Sequence, residues 1–320
     1  MSTKVKKRVK KNKIEYTIER KGDYFFKESS SDYKPRFKEY YYDKEHQIKL
    51  IQGDCIEVLN NAPDECVDMI FADPPYFLSN NGITCQAGKM VPVNKGKWDV
   101  SKGAEANHEF NLQWLKACQR VLKPNGTIWA SGTMHVIYSI GFAMQQLGYK
   151  LLNDIVWYKR NAPPNLSCRY FTHSTEIVLW AAKSQKSKHH FDYKLMKQTN
   201  NGKQMRNVWP IDDTPDKVWV IGAPGTEEKK FGKHPTQKPV ELLTRLMLAS
   251  TKEGDLVLDP FCGSSTTGVA AILLNRKYVG IDLEDDYLQL SVKRLNEVLS
   301  PKKSISFTEK RTLEKNPNSI

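Results

Sequence analysis

Paired cysteines are the first thing this chain lacks. Cys55, Cys66, Cys85, Cys118, Cys168 and Cys262 are scattered with no C-x-x-C pair. That excludes the common zinc ribbons and gives no disulfide framework, so the expectation is a reducing, cytoplasmic setting without a bound metal. His173 and His234 have no second ligand at a suitable spacing. No apolar run approaches the ~20 residues that cross a bilayer, and no apolar segment of the secretory kind follows the basic start. A membrane protein is therefore not expected. The phosphate loop GxxxxGK[ST] and the dinucleotide fingerprint GxGxxG are both missing, which disfavours an ATPase and a nicotinamide-dependent oxidoreductase. Acidic residues are also in deficit: 36 Asp and Glu face 49 Lys and Arg, a net charge of +13. A polyanionic partner fits that balance. Much of the excess lies in Lys4, Lys6, Lys7, Arg8, Lys10, Lys11 and Lys13, read as a solvated tail that adds sequence-blind attraction to phosphates.

What the chain does have centres on VDMIFADPPYFLSN, Val67 to Asn80. Val67, Met69, Ile70, Phe71 and Ala72 make the nearly unbroken apolar run of a strand buried on both faces of a parallel sheet. It ends at Asp73-Pro74-Pro75-Tyr76. Two prolines fix φ and donate nothing, so the chain leaves the sheet in a stiff loop at the strand's carboxyl end, where open α/β sheets bind ligands. Asp73 and the Pro74 carbonyl can each accept one N–H of an exocyclic amine, and Tyr76 can stack on the ring that carries it.

In chain order, residues 1–46 read as a polar, Tyr-rich extension. Residues 47–182 hold the strand at Ile48, Leu50 and Ile51, a short helix over Ile56, Val58 and Leu59, and the DPPY strand. They continue with a long polar loop (Leu78 to Asn107) suited to closing over a substrate, then a helix from about Glu109 to Leu122, a turn at Lys123–Gly126 and a strand at Thr127–Ala130. A helix over His135–Leu147 and strand-like runs at Leu151–Lys159 and Thr175–Ala182 complete that part. Residues 183–233 mix cations, amides and aromatics, the kit that reads phosphates and base edges. Residues 234–299 carry HPTQKP, a helix from Val240 to Ser250, and the strand Leu256–Leu258. The loop Asp259-Pro260-Phe261-Cys262-Gly263-Ser264-Ser265-Thr266-Thr267-Gly268 follows, then a helix over Val269–Leu274, the strand Tyr278–Asp282 and a helix over Tyr287–Leu299. Residues 300–320 read as a disordered tail.

A strand, a small-residue loop and a helix start let backbone N–H groups meet a polar ligand closely. An acid closing the next strand, Asp282, is placed for ribose hydroxyls. The alternation predicts an α/β fold with a doubly wound, mostly parallel sheet. If LVLDPFCGSS supplies its first strand and VDMIFADPPY its fourth, the two loops become neighbours across the switch point, although the chain has them in reversed order.

The order DPPY, basic segment, HPTQKP, DPF-x-G resembles the β-class, circularly permuted DNA adenine-N6 methyltransferases over roughly Gln47 to Leu299. Longer strings, DMIFADPPYFLSN, PNLSCRYFTHSTE, GKQM and GKHPTQKP through LASTKEGD, are similar to the DpnA-like enzymes, the second methyltransferases of GATC-type restriction systems. The resemblance implies a Rossmann-like, permuted methyltransferase sheet with an inserted target-recognition region, and S-adenosylmethionine as cofactor. It implies double-stranded DNA as partner and adenine N6 as the methyl acceptor, cytosine-N4 enzymes usually carrying serine at the aspartate position. Asp73, Pro74, Pro75 and Tyr76 would be catalytic. Asp259, Phe261, Gly263, Ser264, Ser265 and Thr266 would line the methionine end of the cofactor, Asp282 its ribose, and Asp54 with Cys55 the adenine amine. His234, Thr236, Gln237 and Lys238 would flank the carboxylate. DNA contacts are assigned to Lys97, Arg169, Lys203 and Arg206. Members have a cognate restriction endonuclease and a homodimer as candidate partners, although the residues display neither.

The family loop is usually GSGTTG, and Ser265 replaces its middle glycine, which must tolerate that backbone. Cys262 reads as a packing residue, since no Pro-Cys nucleophile of the cytosine-C5 kind exists here. Three alternatives stay open: a methyltransferase for cytosine N4, RNA or protein, a DNA-binding protein with an idle loop, and an oxidoreductase on a similar sheet.

Overall fold

The computed structural model describes residues 5–10, 13–18, 36–79, 83–86, 89–92, 99–159, 162, 164–165, 167–209, 224–232 and 234–300. Its strands are β1 (Val5–Lys10), β2 (Lys13–Ile18), β3 (Lys38–Asp43), β4 (Ile48–Gln52), β5 (Val67–Ala72), β6 (Ile83–Gln86), β7 (Lys89–Pro92), β8 (Leu122–Gly132), β9 (Lys150–Tyr158), β10 (Thr175–Ala182), β11 (Val208–Trp209), β12 (Leu256–Asp259) and β13 (Lys277–Asp282). Its helices are α1 (Cys55–Asn61), α2 (Ala104–Val121), α3 (Ile137–Gln146), α4 (Tyr193–Thr199), α5 (Val240–Ser250), α6 (Thr266–Leu273) and α7 (Asp285–Leu299).

Nine strands form one sheet in the order β11-β9-β10-β8-β5-β12-β13-β4-β3. The central five, β8 to β4, are parallel, and β10, β9 and β3 add antiparallel pairings at the flanks. The expected neighbours are in place: β5 pairs β12 in parallel, Met69 beside Val257 and Ile70 beside Leu258. From that junction the sheet winds outward both ways, which opens a crevice at the carboxyl ends of the two strands.

Both faces of β5 are covered, as its continuous apolar run requires. Val67, Ile70 and Ala72 face a core built with α1, α2 and α3. Met69 and Phe71 face a second core with α5, α6 and α7. Cross-strand partners Trp129 and Trp180 stack in that second core with ring centroids 4.6 Å apart.

Four readings of the sequence need correction. The basic start is not a featureless tail: β1 and β2 pair as an antiparallel hairpin that sets Val5 opposite Ile18 and Val9 opposite Ile14. The tyrosine cluster lies in β3, an edge strand on β4. The long polar segment contains the hairpin β6-β7, and α2 begins at Ala104, just after Gly103 turns the chain at φ 99°. Lys123–Gly126 falls inside β8 but is looped out, since the pairing steps from Val67↔Leu122 to Met69↔Thr127. The terminal segment 301–320 lies outside the described residues.

Gly268 in α6 sits where an added Cβ would come within 2.6 Å of the fully buried Tyr278 ring and 2.8 Å of Leu295. Gly268→Ala is therefore expected to destabilise the protein by about 1–3 kcal/mol despite alanine's better helix propensity, as urea denaturation would measure.

Candidate active site

Asp73 leaves β5 with its side chain 12% exposed and held by three hydrogen bonds. Ser131 Oγ and Tyr76 Oη (2.7 Å) donate to Oδ1, and Lys238 Nζ donates to Oδ2 at 2.5 Å. Burial alone would raise the Asp73 carboxyl, but the Lys238 ammonium and the hydrogen bonds from Lys238, Ser131 and Tyr76 hold it below the usual range. Lys238 has a second carboxylate, Glu176 Oε2, 3.7 Å away, and Lys159 salt-bridges the other oxygen of Glu176. Burial pushes the Lys238 ammonium down, and the Asp73 and Glu176 charges more than offset it, so its pKa is raised.

The rest of the loop hangs on one buried acid. Asp99, fully buried, accepts from Tyr76 N (3.0 Å), Leu78 N (3.2 Å) and Ser79 Oγ (2.8 Å). Its own carbonyl accepts from Ser79 N, so the two ends of the segment between them are tied together. The Tyr76 ring, 4% exposed, lies inside the core. The stacking face expected of it is not presented, because its hydroxyl is drawn inward to Asp73. Phe77, at φ 57°, turns outward and lines the crevice instead.

The crevice is a cavity of about 350 Å³, within the range of small-ligand sites. Phe77 of the reaction loop and Phe261 of the small-residue loop are bridged by Phe110 of α2, with ring centroids 6.1 and 6.3 Å from it. Carboxylates of Asp54, Asp73, Asp282 and Glu284 edge the cavity, beside Cys55, Pro75, His234, Thr236, Phe261 and Gly263. Asp54 spends Oδ1 capping α1 at Ile56 N and Glu57 N, and Oδ2 has no partner among the described residues. Asp282 accepts from Gly263 N (2.8 Å) and Glu284 N (3.0 Å), and burial raises its carboxyl to about 6. Gly263, at φ 50°, leaves no room for a side chain: a Cβ would stand 2.9 Å from the His234 ring.

Other expected cofactor residues support this cavity without lining it. Ser264 and Thr266 are bound by Arg294 Nη1 at 2.9 Å each. Ser265 does adopt the left-handed conformation (φ 51°, ψ 42°) and receives Tyr278 Oη at 3.3 Å. Asp259 accepts from Phe261 N and Thr267 Oγ1, with its carboxyl raised by burial to about 7. Gln237 donates to the Glu228 carbonyl, and Lys238 turns to Asp73. Pro74 is buried, and the next residue, Pro75, lines the cavity. Arg169, Lys203 and Arg206 are exposed, and Lys97 lies outside the described residues. Sequence reasoning missed Asp99, Ser131 and Glu176, which belong to distant segments and carry no local signal. Glu284 and Tyr287 could have been found, since they follow Asp282 closely.

A family model described as DNA methylase, of the N6/N4 type, matches residues 67–293. The chain belongs to that family. The methyltransferase is 53% identical over 258 residues to the Type II methyltransferase M2.LlaDCHI of Lactococcus lactis subsp. cremoris, covering 80% of this chain and 92% of that one. It is 54% identical over 256 residues to M2.DpnII of Streptococcus pneumoniae, covering 80% and 91%. Its fold is similar to the crystal structure of the M1.HpyAVI–SAM complex, with a TM-score of 0.54 and 27% identity over 77% of this chain and 97% of that one. The methyltransferase uses S-adenosylmethionine, which supplies a methyl group on a cationic sulfonium. The cavity fits that molecule in its donor set: carboxylates for a cation and for hydroxyls, phenyl rings for a flat base, and a glycine whose missing Cβ keeps the floor open.

Two outcomes are expected. Asp99→Ala strands two loop N–H groups and should cost about 2–3 kcal/mol. It should slow single-turnover methyl transfer about a hundredfold by misplacing Asp73, with helix content by circular dichroism retained. Asp282 takes up a proton as pH falls through about 6 and then loses acceptor capacity. Affinity for S-adenosylhomocysteine, followed by calorimetry, should therefore be flat above about pH 7 and weaken below about pH 6. The stability of the free protein should move oppositely. A carboxyl whose folded pKa is raised binds its proton more readily folded than unfolded, so stability falls as pH rises from about 4 to about 6.

Proposed function

We propose that the methyltransferase modifies adenine N6 within a short duplex sequence, GATC, as the modification half of a restriction system. The observation that carries the reading is Asp73 at the head of the loop: a buried, ionised carboxylate on the cavity wall, where cytosine-N4 enzymes usually carry serine. The likeness to M2.DpnII and M2.LlaDCHI supports the restriction setting. GATC rests on the resemblance to DpnA-like enzymes.

N6 is out of reach within a stacked duplex, so the target base is extruded into the crevice. Asp73 and the Pro74 carbonyl accept the two N6 hydrogens, which turns the nitrogen lone pair out of conjugation and toward the methyl group. Asp73 also offsets the positive charge that develops on nitrogen, the kind of fixed electrostatic stabilisation that dominates such sites. No covalent nucleophile takes part: burial pushes the Cys262 thiol well up, away from the reactive thiolate. Phe77, rather than Tyr76, is the ring available to stack on the extruded base.

The test is methylation of defined duplexes with labelled cofactor, followed by digestion to nucleosides and long-read mapping. N6-methyladenine at GATC is expected, together with a loss of at least about 10²-fold in Asp73→Ala. Label appearing in N4-methylcytosine would overturn the adenine reading, and an active Asp73→Ala would overturn the mechanism.

A further inference from the structure

The ammonium of Lys238 stands in the same relation to Asp73 that the substrate amine must take. It donates to Oδ2 at 2.5 Å and lies over the Tyr76 ring, 5.4 Å from its centroid. Its side chain is only 6% exposed, so it is not a solvated lysine that drifted inward. While it stays there, one of the two acceptors that capture an exocyclic amine is occupied by a full positive charge. Oδ1 already takes Ser131 and Tyr76, so Oδ2, the oxygen the ammonium holds, is the one left for an amine. An amine that docks on Oδ2 meets the ammonium there and competes with it.

The neighbourhood contains one other anion within reach of that nitrogen. Glu176 Oε2 is 3.7 Å from Nζ, too long for a hydrogen bond and close enough to attract. Glu176 is itself 8% exposed, anchored from the far side by Lys159 and touched by Tyr76 Oη at 3.4 Å. A shift of Nζ by about an ångström brings it within hydrogen-bond reach of Glu176, and further withdrawal along that line never takes the ammonium through apolar surroundings, where an unpaired charge costs several kcal/mol.

We infer that Lys238 is a placeholder that occupies the amine seat on Asp73 in the free enzyme, and that Glu176 is the positioning residue onto which it withdraws when the target base arrives. The device keeps Asp73 ionised while the site is empty and leaves its oxygen to an amine once the site is filled. This inference rests on the reading of Asp73 as the amine acceptor, and it holds for N6 and N4 alike.

Steady-state kinetics on duplex DNA test it, with Asp73→Ala as control. In Glu176→Gln the withdrawn position loses its charge. KM for DNA should rise about tenfold, the scale of one charge-assisted hydrogen bond. The kcat should be largely kept, and affinity for S-adenosylhomocysteine should stay within about twofold. Lys238→Met removes the placeholder, so adding Glu176→Gln to it should change KM no further. That variant should also lose kcat on the acid side, because Asp73 then protonates at higher pH. An unchanged KM in Glu176→Gln, or an equal rise in the Lys238→Met background, would overturn the inference. Should Glu176→Gln fail to fold, Glu176→Asp keeps the charge one methylene further back, and a flat KM there overturns it equally. An inactive Asp73→Ala beside a flat Glu176→Gln sinks the placeholder alone, whereas an active Asp73→Ala sinks the reading of the site beneath it.

Discussion

A carboxylate that must stay charged inside a protein is the constraint around which this structure is arranged. Removed from water, Asp73 would protonate and could no longer draw hydrogens from an amine. The fold answers with a lysine from the segment before α5, a serine from the end of β8 and the tyrosine three residues on, all converging on two oxygens. The lysine and the serine arrive from segments far from the loop, so the charge state of one side chain depends on how those segments pack around it. In the alternating two-carboxylate, two-lysine row of Asp73, Lys238, Glu176 and Lys159, each charge has a neighbour of opposite sign.

The same logic of distant segments meeting explains the cofactor side. The small-residue loop keeps its shape because α7 reaches back to it: Arg294 holds Ser264 and Thr266, and Ser291 donates to the Gly263 carbonyl at 2.7 Å. Residues that a motif assigns to ligand contact thus divide into those facing the cavity, such as Phe261, Gly263 and Asp282, and those that fix the loop from behind.

The sheet was legible because its strands are buried on both faces and read as short apolar runs between turn residues. The neighbouring of β5 and β12 followed from the doubly wound rule applied to those runs. The acid-proline-proline loop and the acid at the end of β13 announced themselves by chemistry in a short window. Less legible was everything decided by a partner far along the chain. Nothing in HPTQKP says that its lysine points at Asp73, and nothing around Asp99 or Glu176 marks either as buried. Tyr76 was misread because an aromatic in a motif gives no clue whether its hydroxyl or its face is used. The edge strand β3 was missed because tyrosines on a half-covered ladder show no alternation.

The junction of β5 with β12 carries a consequence for how the enzyme comes into being. Asp68 on one strand accepts the Leu256 amide of the other across 188 residues of sequence, so the crevice closes only once both of these distant segments have been made. High contact order of this kind slows folding. It also means that a nascent or prematurely ended chain carries only one half of the reaction centre, and marks no DNA.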